Sequence, residues 1–401
     1  MQPAITLTTA GESHGRCVTA ILSGLPAGLE VGEEEVNQQL ARRQVGYGRG
    51  ARMQIERDRV MFTGGVRHGR TLGSPMSMVI ENRDWENWRQ EMSPKPHGAG
   101  WESERRVSVP RPGHADLSGG AKYGHADMRN VLERASARET AGRVAAGAIC
   151  TGLLGAIGAR VQSRTVAIGG VRDEEFDCSP GRWEAVEESD VRCASPEIAA
   201  DMRRVIDEAG DAGDSLGGEI EVVADGVPPG LGSHVSWDTR LEGQIGQAML
   251  GIPAIKAVAV GAGMQASDTP GSEYHDAIVR ADDGASWPFT RPTNRAGGIE
   301  GGITNGEPVV VRLVMKPIPT LTRPLPSVDV RTGEATEAHA ERSDVCAVPA
   351  AGVVAEAMLA LVLASAVCEK FGGDCMADLL GARDLYMRRL GLPWNGGRKQ
   401  D

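Results

Sequence analysis

Between residues 129 and 159 the chain runs a charged segment straight into a stretch of small and apolar residues. The segment reads Arg129-Asn130-Val131-Leu132-Glu133-Arg134-Ala135-Ser136-Ala137-Arg138-Glu139-Thr140, and small residues continue from Ala141 to Ala159. The spacing predicts one helix over 129–157, of a kind built to be buried. Ions inside such a helix must be paired or hydrogen-bonded, because burying a lone charge is too costly. GESHG at 11–15 and GHAD at 113–116 also mix glycine with ionisable residues. Together the three segments point to an enclosed basic pocket that handles an anion and moves protons. A surface charge network is the alternative.

The chain's 401 residues suffice for a large core or two fused ones, and its 53 glycines follow no collagen-like period. The net charge of −11 argues against wrapping nucleic acid. That charge is uneven. Residues 33–143 hold 19 Lys and Arg against 15 Asp and Glu, whereas 172–225 hold 5 against 17. The first region suits an anion; the second reads as an acidic, solvated face. Seven cysteines show no CxxC or zinc spacing, and Cys150, Cys346 and Cys368 sit in apolar company. An odd cysteine count and no secretory leader favour a reducing cytoplasm. No run reaches ~18 uninterrupted apolar residues, so a membrane span is not expected, with 144–159 the nearest approach.

Helices are expected at 33–43, 129–157, 196–208, 238–250, 350–369 and 377–389, and strands at 19–22, 53–55, 59–62, 75–80, 218–223, 255–260 and 309–315. The turn after Leu22 follows a G-φ-P-x-G-L pattern that returns at 226–231, each time ahead of a helix. That echo predicts one domain over 1–401 made of two related halves, 1–165 and 166–401. Regular βαβ alternation is absent, so the fold class is α+β with antiparallel sheets. Residues 84–119 and 268–306 lack periodicity, and loops that long usually carry function.

Several histidines can exchange protons near neutrality: His14, His114, His125 and His68. Spacing alone does not rank them, and each can equally be a loop residue bonded to a neighbour. Asp116 either orients His114 or caps the next turn. Arg42, Arg43, Arg49 and Arg52 flank the glycine turn at 46–48, an arrangement suited to phosphate or carboxylate, or simply a solubilising edge. Arg134 and Arg138, four apart, share a face of the expected helix, with Glu133 and Glu139 able to neutralise them. Asp344 can serve as cap or base. The glycine-dense loop at 297–306 has neither P-loop nor Rossmann order, and Lys316 ends a strand within reach of a phosphate tail. No HExxH or His-x-His pair occurs, so no histidine metal site is expected.

GESHG, GYGRG, RPGHAD, KYGHAD, RNVLERASARETA, MQASD, TN-x-AGGIEGG and RSD occur in that order between residues 11 and 344. In this respect the chain closely resembles the chorismate synthase family. The resemblance implies a β-α-β sandwich with antiparallel sheets around a helical layer and a homotetramer. It also implies conversion of 5-enolpyruvylshikimate 3-phosphate to chorismate and phosphate with reduced FMN (FMNH2) and no net redox change. By the same resemblance, His14 protonates the departing phosphate, His114 lies near flavin N1, and Asp344 manages the N5 proton that relays the C6 proton. Ser13 and Ser136 hydrogen-bond between them. Arg43, Arg49, Arg52, Arg111 and Arg134 match positions for the substrate. Arg134, Ala135, Ser136, Gln265, Ala266, Gly301, Lys316, Pro317, Ile318, Pro319, Thr320 and Arg342 match positions for the flavin.

Two residues depart from the family's usual pattern. Pro319 replaces a common serine, removing a hydroxyl and an amide donor, and Arg295 stands where asparagine or histidine is common. No motif says whether NADPH reduces the flavin on this chain or an external reductant does. The rival readings are a non-catalytic anion- or flavin-binding protein and a flavin-dependent dehydrogenase, the latter weakened by the missing dinucleotide fingerprint.

Overall fold

The computed structural model describes residues 4–50, 57–98, 100–174, 176, 178–282, 287–339 and 344–391. Arg52, Arg342 and the strand expected at 53–55 lie outside the described residues.

The N-terminal strands β1 (Thr6–Ala10) and β2 (Cys17–Ser23) pair antiparallel around the GESHG turn. Helix α1 (Glu33–Gln44) follows, then β3 (Val60–Gly64) and β4 (Met76–Glu81), giving an antiparallel sheet in the order β1-β2-β4-β3. Met76, Met78 and Ile80 are fully buried while Ser77 and Val79 are less so, the alternation expected of a sheet with one packed face.

The expected helix over 129–157 is two helices, α3 (Arg129–Ala135) and α4 (Thr140–Ala156), preceded by a short α2 (Asp116–Tyr123). The break falls at Ser136, whose backbone is extended (φ −66°, ψ 145°) and whose side chain accepts the Arg138 amide. A serine that bonds its own downstream backbone offers the chain an alternative to continuing the helix. Arg134 and Arg138 therefore do not share a helix face.

A second sheet contains β5 (Arg160–Ile168), β6 (Val171–Arg172), β7 (Gly218–Asp225), β8 (Ile255–Val260) and β9 (Val309–Met315), in the order β8-β9-β7-β5-β6. Between β6 and β8 lie helices α5 (Pro196–Asp211) and α6 (Leu241–Leu250). The chain ends its described part with α7 (Val348–Phe371) and α8 (Met376–Leu390). Strand β5 escaped the hydrophobic pattern because polar Ser163, Arg164 and Thr165 are buried in it. Ser163 donates to Glu356 at 2.7 Å and Arg164 to Glu221 at 2.8 Å.

Helix α4 packs on β2 and β4, α7 packs on β5 and β7, and the two helices pack on each other. Gly147 makes their approach possible: a Cβ there would sit 2.3 Å from the Cβ of Ala357. Among the described residues, helix α7, not 144–159, is long and apolar enough to cross a membrane, with a mean hydropathy of 2.2. It is not an uninterrupted apolar run, because Pro349, Glu356 and Ser365 punctuate it. Of its most apolar window 83% is buried inside the protein, where Glu356 is held by Arg42, Arg192 and Ser163. The acidic region 172–225 is likewise not purely solvated, since Glu187 and Glu221 pair with Arg192 and Arg164.

The echoed turns keep the same backbone. Gly24 and Gly28 have φ of 88° and 85°, and Gly226 and Gly230 have 71° and 94°, values that favour glycine at each position. Each turn leads from a sheet strand, β2 or β7, to a helix, α1 or α6.

Candidate active site

The site is built from the GESHG turn upward. Asn82, just past β4, donates to the carbonyls of Glu12 (3.1 Å) and Gly15 (2.7 Å), and Glu133 on α3 holds the turn from the other side. The Glu133 carbonyl accepts the Ser13 amide at 2.9 Å, and its carboxylate accepts the His14 amide at 2.8 Å. The same carboxylate lies 2.9 and 3.0 Å from His14 Nδ1. The imidazole also stacks on Trp88 at 3.9 Å, and the guanidiniums of Arg105 and Arg129 lie over that indole at 4.0 and 5.0 Å. Burial pushes the Glu133 carboxyl up, but the bonds to His14 and the charge of Arg129 outweigh it and hold it below its ordinary value. The pair is an imidazole with one face packed, its Nδ1 fixed on an anion and Nε2 the nitrogen turned from that anion.

The helix break brings Ser136 beside this pair, its hydroxyl donating to Ser13 Oγ at 3.1 Å. Arg134 turns toward β1, donating to Gly11 O, Thr9 O and Thr9 Oγ1 at 2.7–3.0 Å. Arg138 and Arg43 share the buried Asp58, and Arg43 also donates to Thr140 Oγ1 and the Ala137 carbonyl. Burial lowers the Arg43 guanidinium to about 10, against the pull of Asp58. Arg43 also feels the charges of Arg49 and Asp344. Arg49 pairs with Asp344 at 3.1 Å, and Asp344 accepts the Gly50 amide at 2.6 Å.

A second imidazole–carboxylate pair is local. His114 Nδ1 lies 2.5 Å from Asp116, which is completely buried and also receives Arg111 through its amide, Nε and a terminal nitrogen. Burial raises the Asp116 carboxyl, yet His114 and Arg111 together hold it well below the usual carboxylate range. Arg111 reaches Thr320 Oγ1 at 3.1 Å, and Lys316 Nζ donates to the Gly113 carbonyl. Pro319 packs beside Gly113, and Ile318 O accepts the Ser215 hydroxyl. The RPGHAD and KPIPT motifs, some 200 residues apart in sequence, are thus in contact.

These corners are joined through packed elements. Helix α2 begins at Asp116 and packs on α3, which carries Glu133. The Val345 carbonyl, next to Asp344, accepts the Leu216 amide, and the neighbouring Ser215 bonds Ile318. Packing and backbone bonds thus connect three corners: His14 with Ser13 and Ser136, Arg43 and Arg49 with Asp344, and Arg111 with His114, Lys316 and Thr320.

Among the described residues, Gln265, Ala266 and Gly301 make no hydrogen bond or ion pair to these corners. The antiparallel register pairs Ile255 with Met315 and Val260 with Val311. Gln265 and Ala266 follow the Val260 end of β8, whereas Lys316 leaves at the Ile255 end. Roughly 17 Å of strand separates those ends. Arg295 also lies at the Val260 end, where its carbonyl accepts the Ala262 amide.

The residues that motif reading left out are Glu133 as the partner of His14, together with Trp88, Asn82, Asp58 and Arg129. Sequence spacing pairs Glu133 only with the arginines. The one signal for Trp88 was its place in the aperiodic stretch 84–119. For the phosphate tail of FMN the donor chemistry fits. Lys316 is a half-buried cation next to Lys256, its ammonium lowered by burial and then by that neighbour, and Thr320 adds a hydroxyl.

The family model described as chorismate synthase matches residues 5–368. A chorismate synthase of Trichlorobacter lovleyi is 53% identical over 387 residues, covering 95% of this chain and 98% of that protein. One from a Geobacillus species is 54% identical over 383 residues, with the same coverages. A crystal structure of chorismate synthase superposes with a TM-score of 0.76 at 42% identity, covering 96% of this chain and 98% of that one.

Proposed function

This chain belongs to the chorismate synthase family, and from that premise we propose how its own residues carry out the family's reaction. The reaction is the 1,4-elimination of phosphate from 5-enolpyruvylshikimate 3-phosphate to give chorismate, a lyase step of the shikimate pathway. A phosphate must leave C3 and a proton must leave C6. Reduced FMN, when bound, supplies electron density transiently as the phosphate departs, without net redox change.

The observation that carries the residue assignment is the fixed His14–Glu133 pair beside Ser13 and Ser136. A carboxylate on Nδ1 fixes the ring's orientation and leaves Nε2 as the atom that hands a proton to the departing phosphate. Ser13 and Ser136 hold the hydroxyl network next to it. Asp344, gripped by Arg49 and the Gly50 amide, is a carboxylate suited to receiving the C6 proton by relay. Arg49, Arg111 and, outside the described residues, Arg52 supply positive potential for a substrate with two carboxylates and a phosphate. Arg43, Arg134 and Arg111 all give their donors to the protein, so their part is to add field, and the first two also shape the helix break. Lys316 and Thr320 would hold the FMN phosphate, with Pro317, Ile318 and Pro319 setting the backbone, and Arg342 would assist. His114, fixed by Asp116, would face the flavin and stabilise negative charge on it.

Gln265 and Ala266 stand roughly 17 Å of strand from Lys316, and we read them, with Gly301, as serving a flavin held by a second copy of the chain, in an oligomer that is a homotetramer by resemblance. We also read the fold as a β-α-β sandwich of duplicated halves. The run β1, β2, α1, β3, β4, α4 has the same order and sheet positions as β5, β7, α6, β8, β9, α7.

The test is anaerobic phosphate release with chemically reduced FMN. Release that requires the reduced flavin is expected, and release without any flavin would refute the cofactor role. NADPH oxidation coupled to chorismate formation tells whether flavin reduction is intrinsic.

A further inference from the structure

The C-terminal ends of α7 and α8 meet at a cavity of about 930 Å³ that the reaction does not use. Helix α7 has 24 residues and spans about 36 Å, and Asp344 precedes its other end, so the cavity is remote from the candidate active site. Lys370, Arg388 and Arg389 bring three positive charges to it, around Phe371, Tyr386 and Leu385. Lys370 Nζ lies 3.9 Å from the centre of the Tyr386 ring and 5.6 Å from that of Phe371, and Arg389 lies 5.1 Å from Tyr386. The two rings meet edge to face at 5.6 Å, and the Tyr386 hydroxyl is anchored on the Pro229 carbonyl at 3.0 Å.

No Asp or Glu lines the cavity, and among the described residues none of the three cations has a carboxylate partner. That is unusual in a chain of net charge −11, whose arginines elsewhere are mostly ion-paired. Basic residues in the last turns of helices can simply complement helix dipoles. Two helix ends supply about −0.5 charge each, however, so roughly two positive charges remain uncompensated. Burial, followed by the nearby Arg389, lowers the Lys370 ammonium, in keeping with a cation that lacks an anion.

We propose that this cavity is a second binding site, taking a small aromatic carboxylate. The ring lies against Phe371, Tyr386 and Leu385, and the carboxylate sits between Lys370 and the arginines. Inorganic phosphate would satisfy the charges but leave the apolar wall wet, whereas a ring acid covers both. The proposal does not depend on the mechanism proposed above.

Full-length protein titrated with 4-fluorobenzoate and followed by fluorine NMR tests it. Saturating 5-enolpyruvylshikimate 3-phosphate is included to occupy the active site, without reduced flavin so that nothing turns over. Saturable broadening that persists under substrate is expected, with no binding of the neutral 4-fluorobenzamide. Lys370→Met and Arg389→Met should each weaken affinity by about tenfold and leave turnover unchanged. The absence of saturable broadening, its abolition by substrate, equal binding of the amide, or wild-type affinity in both variants would each overturn the proposal. The amide comparison uses the wild-type chain, so it stands even if a variant misfolds.

Discussion

The two histidine–carboxylate pairs use the same contact and are built in opposite ways. His114 takes its anion from two residues along the chain, and Arg111 locks that anion from three directions. His14 takes its anion from a helix 119 residues away, and an indole covers the ring. In the first pair Asp116 is committed mainly to an arginine, so the imidazole is one of several ligands of a structural ion. In the second, Glu133 gives both oxygens to the ring and one to the His14 amide, and holds Arg129 through a single contact at 3.0 Å. A contact of this type does not reveal its role; how the carboxylate divides its oxygens between histidine and arginine separates the two pairs.

The largest expected effect separates the pairs directly. His14→Ala should lower kcat on the order of 10² to 10⁴-fold in anaerobic phosphate release while FMN still binds. His114→Ala should lose about tenfold, since it offers only charge stabilisation. Equal losses would erase the distinction.

Asp116→Asn strands Arg111 in the interior and should cost about 3–5 kcal/mol of stability by denaturant melt. The wild-type protein gains this contribution fully above about pH 4, where an unfolded aspartate ionises, and loses it as pH falls through the lowered folded value. The variant should lack that acid limb.

Lys316→Ala should weaken FMN affinity by about 10- to 100-fold, the worth of a charged hydrogen bond, and an unchanged flavin titration would remove Lys316 from the phosphate tail. The smallest change is Glu133→Gln, about tenfold in kcat. A neutral amide keeps the shape of the side chain but not the anion that fixes Nδ1, so kcat should fall while FMN affinity holds. An unchanged kcat would reduce Glu133 to a strut for the turn.

Several elements were legible from periodicity alone. Strands β8 and β9 match their expected bounds, and α1, α5, α7 and α8 differ by only a few residues at each end. The failures have two causes, one long-range and one local. Strand β5 hides buried polar residues whose partners lie on other elements, and the helix break at Ser136 depends on a bond to its own downstream amide. Asp116 was visible as a candidate for His114 because it is a neighbour in sequence. Glu133, Trp88 and Asn82 converge on the GESHG turn from three separate segments, and no spacing encodes that.

Local order carried the motifs, the antiparallel character of the sheets and the family to which the chain belongs, because turn glycines, apolar periods and clustered charges act over a few residues. Tertiary packing alone decided which carboxylate each histidine received and which arginines face inward to the protein. It also parted Gln265 and Ala266 from Lys316. Hydrogen bonds and ion pairs are made by whatever the folded layers bring within about 3 Å, and separation along the chain does not limit that.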